Sequence, residues 1–160
     1  GKPAQAIEDR IAQVTQEAYD NGDYIFVAMD RHDEGDTFHP ETKLFPPHNI
    51  AGTSGRELYG KLAGVYDAIK DDHRVFWMDK RHYSAFSGTD LDIRLRERRV
   101  TTVVLTGVLT DICVLHTAID AYNLGYDIEV VESATASLTP EAHDFAIGHF
   151  KNVLGATIVE

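Results

Sequence analysis

The scarcest residues in this 160-residue chain narrow its class first. It has a single cysteine, Cys113, so no disulfide can close within the chain and nothing points to an oxidising compartment. The cytoplasm is the expected location. No apolar run approaches the ~20 residues that a membrane-spanning helix needs, and no signal-peptide pattern is present. Positive charge is scarce as well: 15 Lys and Arg stand against 26 Asp and Glu, for a formal net charge of −11. Nucleic acids and anionic membranes recruit Lys- and Arg-rich surfaces, so neither is an expected partner. An initiating methionine is also lacking. Gly1-Lys2-Pro3 leads directly into a helical pattern where a sheet protein usually has a strand, which sets the expectation that residues are missing upstream.

What remains is ordinary for a globular protein. Apolar residues make up 43% of the chain and charged residues 26%. No repeat, low-complexity tract or linker is visible, so residues 1–160 read as one domain, long enough to bury about 70% of its unfolded surface.

Hydrophobic periodicity alternates between helix and strand along the chain. Pro3 suits a first helical turn, and Ile7, Ile11, Val14 and Ala18 repeat at helical spacing before Asn21-Gly22 stops the pattern. Tyr24 to Met29 is a continuous apolar run ending in Asp30, the signature of a strand buried on both faces. Further strands are expected at 74–78, 100–108, 128–131 and 156–159. Helices are expected between them, over 58–69, from a Thr89 cap to about Arg99, from Thr110 or Asp111 to Gly125, and from Pro140. Strands alternating with helices imply βαβ units and a parallel sheet, an α/β fold. Residues 31–55 form a loop too long to be a simple connection, and loops of that kind tend to be functional.

Two groups of residues suggest chemistry. Cys113 falls just past a strand end, in the expected first turn of a helix, where free N–H groups and the helix dipole favour a thiolate. Its position alone equally suits a small buried hydrophobe. Lys80 follows another strand end at the same carboxyl edge, where a lysine can hold a thiolate; Asp79 and Arg81 beside it could instead form a surface ion pair of little worth. The second group is Asp30 and His32, two apart and so on one face of an extended segment, followed by Glu41 and His48 in the long loop. Two imidazoles and two carboxylates make a shell for zinc, manganese or iron. His39 competes with Glu41 as the ligand the loop supplies, and a merely hydrophilic loop is the bland alternative.

Taken together the segments resemble a family. Gly107-Val108-Leu109-Thr110-Asp111-Ile112-Cys113-Val114 is similar to the nucleophile motif of the isochorismatase-like cysteine hydrolases. Asp30-Arg31-His32 with Phe45-Pro46-Pro47-His48 resembles the metal-binding segment of the nicotinamidase branch, and Trp77 to Phe86 resembles its catalytic-lysine segment. The resemblance implies that Cys113 attacks the carboxamide of nicotinamide, forming a thioester and releasing ammonia, and that water then frees nicotinate for NAD salvage. It implies Lys80 as the triad lysine, and backbone N–H groups of Leu109 and Cys113 as the oxyanion hole, beside a cis peptide between Val108 and Leu109. It implies Asp30, His32, Glu41 and His48 as ligands of one divalent metal ion, zinc first with manganese or iron as alternatives, and Phe45 and Tyr83 as the ring pocket. A homo-oligomer is expected.

The implied architecture is a three-layer sandwich around a doubly wound parallel sheet of order 3-2-1-4-5-6. The family's first strand, with the triad aspartate at its end, has no counterpart in the sequence. That absence predicts two unpaired sheet edges and about twenty residues missing upstream. The readings in competition are a metal-independent relative, such as an isochorismatase or an N-carbamoyl amide hydrolase, and a non-catalytic metal-binding module.

Overall fold

The computed structural model describes every residue from Gly1 to Glu160. The expected alternation is present: helices α1 (Lys2–Ala6) and α2 (Glu8–Asp20), strand β1 (Ile25–Asp30), helix α3 (Gly60–Ile69), strand β2 (Val75–Lys80), helix α4 (Leu91–Glu97), strand β3 (Thr102–Val108), helix α5 (Leu115–Asn123), strand β4 (Asp127–Ala136), helix α6 (Pro140–Asn152) and strand β5 (Thr157–Val159). The first helical pattern is broken once, at Ile7, between α1 and α2. Thr139 caps α6, its hydroxyl accepting the Ala142 N–H at 3.2 Å, with Pro140 in the first turn where a missing N–H costs nothing. Gly125, at φ 82°, ends α5 in the left-handed conformation that glycine adopts without strain. No helix is long and apolar enough to cross a membrane.

All strand pairs are parallel, but the sheet is divided. β1 pairs with β2, and β3, β4 and β5 pair in that order. β1 and β3 are therefore both edges, as the absence of a strand between them predicts. The expectation that β1 is buried on both faces is corrected accordingly: all six of its residues are only half-buried, because one edge has no neighbour. Val104 on β3 is likewise exposed.

Helices cover both faces of the three-stranded unit. On one side β4 packs against α5 and α6, and Met78, Leu91, Leu95, Leu115, Val130 and Phe150 belong to a 15-residue core cluster. On the other side α2 lies against β4, with Arg10 donating to Ser133 and to the Glu160 carbonyl. Burying such a cluster at roughly 25 cal/mol per Å² of apolar surface is the main stabilising term of a fold of this kind.

Candidate active site

Strand register builds the centre of the site. In the parallel β1–β2 pair the last partners are Asp30 and Lys80, so the two side chains project together from the carboxyl end of the strands. Their carboxylate and ammonium form a buried ion pair. Lys80 Nζ also donates to the His82 carbonyl at 3.0 Å and stands 3.6 Å from Cys113 Sγ. One residue back, Asp79 faces the other way and accepts from Trp77, Arg31 and Arg56. The feared Asp79–Arg81 surface pair does not form; Arg81 pairs with Asp36 and Asp33 of the long loop.

The turn carrying Cys113 differs from expectation. Thr110–Val114 forms one π-type turn ahead of α5, rather than the first turn of an α-helix. It follows Gly107, at φ 110° beside a register shift in β3, and a cis peptide between Val108 and Leu109, as the resemblance implied. Nor is the sulfur poised as a thiolate. Burial pushes the Cys113 thiol up to about 11; Lys80 opposes this, but Asp30 and Glu41 add to it. Lys80 is the strongest charged influence on the sulfur, but burial outweighs it.

The long loop folds back onto the same edge. His32 pairs in parallel with Ile50: its N–H donates to the Asn49 carbonyl (3.2 Å) and its carbonyl accepts from Ala51 (2.8 Å), which draws His48 beside it. The rings of His32 and His48 lie 4.4 Å apart, and His48 Nε2 stands 3.6 Å from Glu41 and 4.0 Å from Asp30. His48 Nδ1 is 3.1 Å from the Pro46 carbonyl, which can only accept, so Nδ1 carries a hydrogen and Nε2 faces the two carboxylates. All four residues expected as ligands are thus brought together.

Sequence reasoning ranked His39 only as a competitor, yet it is central to the cluster. His32, His39 and Glu41 are buried, with ligand atoms all within 4.8 Å of one another, and the rings of His32 and His39 stack at 3.8 Å. His39 precedes the 3₁₀ turn Pro40–Lys43 and its Nδ1 accepts the Glu41 N–H at 3.3 Å. Its neutral form therefore carries hydrogen on Nε2. The signal was in the sequence, as His39-Pro40-Glu41, but the choice between the two residues depends on this hydrogen bond.

Whether the residues fit a cation follows from what they lack. Three buried polar atoms have no hydrogen-bond partner, His32 Nδ1, His39 Nε2 and Glu41 Oε1. Buried polar atoms normally find partners. Burial, and next Asp30, raise the Glu41 carboxyl above its ordinary value; burial, and next His39 and His48, lower His32. The unpartnered His32 Nδ1 and Glu41 Oε1, with Asp30 and His48 beside them, form a donor set that a divalent cation satisfies, while His39 Nε2, carrying hydrogen, stands outside it. The residues fit.

The expected ring pocket is only partly assembled. Tyr83 faces the centre: its phenol is raised by burial first, then by Glu41, Cys113 and Asp30, and its ring lies 5.1 Å from that of His116. Phe45 instead lines a small cavity of about 140 Å³ on the loop side, with His32, Asp36 and Pro47 but without Tyr83.

Comparison with known proteins agrees with this geometry. The isochorismatase domain family matches residues 2–159. The uncharacterized isochorismatase family protein PncA of Bacillus subtilis (strain 168) is 52% identical over 160 residues, all of this chain and 87% of that protein. The crystal structure of a pyrazinamidase/nicotinamidase from Streptococcus mutans UA159 superposes with a TM-score of 0.97 at 79% identity, covering 99% of this chain and 88% of that one. A pyrazinamidase of Pyrococcus horikoshii in complex with zinc matches with a TM-score of 0.84 at 26% identity, over 98% of this chain and 86% of that one. The chain belongs to the isochorismatase family.

Proposed function

We propose that the protein is a nicotinamidase, hydrolysing nicotinamide to nicotinate and ammonia in the salvage of NAD. The observation that carries this reading is the contact sequence from Cys113 Sγ to Lys80 and from Lys80 to Asp30, which gives the nucleophile and the His/Glu cluster a common wall. The names borne by the Streptococcus mutans and Pyrococcus horikoshii relatives support an aromatic carboxamide as substrate.

In this reading Cys113 is the nucleophile. Sγ bonds to the carboxamide carbon as the thiol proton passes to the carboxamide nitrogen, and the carbonyl oxygen takes up negative charge facing the backbone N–H groups of Leu109 and Cys113. The C–N bond breaks, nitrogen leaves as ammonia with the proton it has gained, and water hydrolyses the thioester to nicotinate and a restored thiol. Lys80, fixed by Asp30 and the His82 carbonyl, places its ammonium against the sulfur as it becomes anionic. Asp30, His32, Glu41 and His48 would hold the cation; His39, with hydrogen on Nε2, is a donor beside them. Zinc is the ion we assign; held there it would supply a Lewis-acid anchor for the ring end of the substrate and would offset the part of the Cys113 shift that Asp30 and Glu41 contribute. Tyr83 borders the ring on the nucleophile side, and Phe45 closes the loop side.

Ammonia release from nicotinamide, followed in a coupled assay, tests the proposal. Cys113→Ala abolishes it with an unchanged melting temperature. Turnover that persists in this variant removes Cys113 from the chemistry and the proposal with it.

A further inference from the structure

We infer that His143, on α6, is a positioning residue that sets the nucleophile turn through Thr110, an inference that rests on the nicotinamidase reading for its catalytic consequence. Thr110 opens the π-type turn and is completely buried, and its hydroxyl lies 2.9 Å from His143 Nδ1. Glu132 Oε1 stands 3.9 Å from His143 Nε2, too far for a hydrogen bond but close enough to favour the hydrogen on that nitrogen. Nδ1 is then free to accept from Thr110. His143 is itself fixed in the first turn of α6, its N–H donating to the Thr139 carbonyl at 3.2 Å.

The neighbouring residue is held from the same side. The Asp111 N–H donates to Ser137 Oγ at 3.3 Å, and the Ser137 hydroxyl donates to the Asp111 carboxylate. Two consecutive residues of the turn are thus tied to the β4–α6 connection and to α6 itself. Cys113 lies three positions beyond Thr110, inside a turn whose Ile112 and Val114 N–H groups both donate to the Leu109 carbonyl (3.1 and 3.2 Å). Any shift of Thr110 therefore moves the Leu109 and Cys113 backbone together. Misplacement of a reacting group by a fraction of an ångström is costly in rate and nearly silent in substrate binding.

Four variants test this: Thr110→Val, His143→Ala, the double variant, and His143→Asn, whose amide reaches the position of Nδ1. Steady-state kinetics with nicotinamide and hydrogen exchange of the 109–114 amides are the two readouts. Each disruptive single variant lowers kcat about tenfold with KM changed by less than about twofold, and speeds exchange in the turn. The double variant is no worse than either single, because both remove the same bond. His143→Asn recovers kcat to within about threefold of the parent. Thr110→Ser, which keeps the hydroxyl, retains activity and stands in if the valine variant does not fold. Unaltered kcat and exchange in His143→Ala, multiplicative losses in the double variant, or an asparagine variant as poor as alanine would each overturn the inference. Should the parent release no ammonia from nicotinamide, the functional reading fails, and exchange in the turn alone decides the role of His143.

Discussion

Glu41→Gln should move stability in opposite directions depending on whether metal is present. Glu41 is 4% exposed, one of its oxygens has no partner, and burial beside Asp30 raises its pKa above the ordinary 4.5. A carboxyl raised in the fold destabilises it progressively as pH climbs from the unfolded value through the folded one. The full penalty applies above both. Removing the charge at pH 7 should therefore stabilise the metal-free protein, by about 1 kcal/mol at the lower end of what an unsatisfied buried group costs. For a chain of this size that is about 2–4 °C in melting temperature. Well below pH 4, where the parent carboxyl is also protonated, the difference should vanish. Zinc reverses the ranking. At a hundredfold excess over its dissociation constant a ligand adds about 2.7 kcal/mol, so the parent should melt about 5–11 °C higher with metal than without. The glutamine variant should gain little. Thermal melts of both proteins, stripped and reloaded at pH 7 and repeated stripped at acid pH, contain the whole test. A glutamine variant less stable than the parent without metal, or one with an equal metal-induced rise, refutes the reasoning.

In the metal-free protein, the rate of Cys113 alkylation by iodoacetamide should climb with pH to a midpoint near 11, because burial disfavours the thiolate. Lys80→Ala should push that midpoint higher still and Asp30→Asn lower it, since lysine opposes the shift and aspartate adds to it; a midpoint at or below 9 in the parent contradicts the account. Phe150 is fully buried in the core cluster between α6 and the sheet, so Phe150→Ala should cost about 3–5 kcal/mol, a fall of roughly 6–20 °C in melting temperature. A loss under about 1 kcal/mol in denaturant titration would mean that the cluster does not carry the stability assigned to it.

The elements of the fold were legible because their signals are local. Apolar runs ending in Asp30 and Lys80, the Val- and Thr-rich stretch of β3 and the glycine after α5 each declare a boundary without reference to anything distant. The four expected metal-site residues were legible for a related reason: the Asp30–His32 spacing fixes a common face, and a long His-bearing loop must fold back somewhere. What escaped was everything set by register or burial. The Asp30–Lys80 ion pair exists because two strands align at their ends, which no local pattern reports. The Cys113 thiol was expected to be acidified by its place at a helix start, but it sits in a π-type turn and is raised chiefly by desolvation, a property of the packed interior. His143 lies 33 residues from Thr110 and carries no motif of its own.

At the centre of the site one physical quantity matters most, the charge balance of a buried space. Around the sulfur two carboxylates, Asp30 and Glu41, face a single ammonium, Lys80, while the imidazole of His32 is kept neutral by burial. One negative charge is left uncompensated, and it adds to burial, the larger cause, in raising Glu41 and Cys113. Buried charge of one sign is expensive unless something pairs with it. A divalent cation at the cluster would reverse the sign of the excess and so offset the share of the Cys113 shift that Asp30 and Glu41 contribute, leaving the larger share due to burial. Binding of a cation and the ionisation of Cys113 would then be coupled through Asp30, which pairs with the lysine beside the sulfur and lies 4.0 Å from His48.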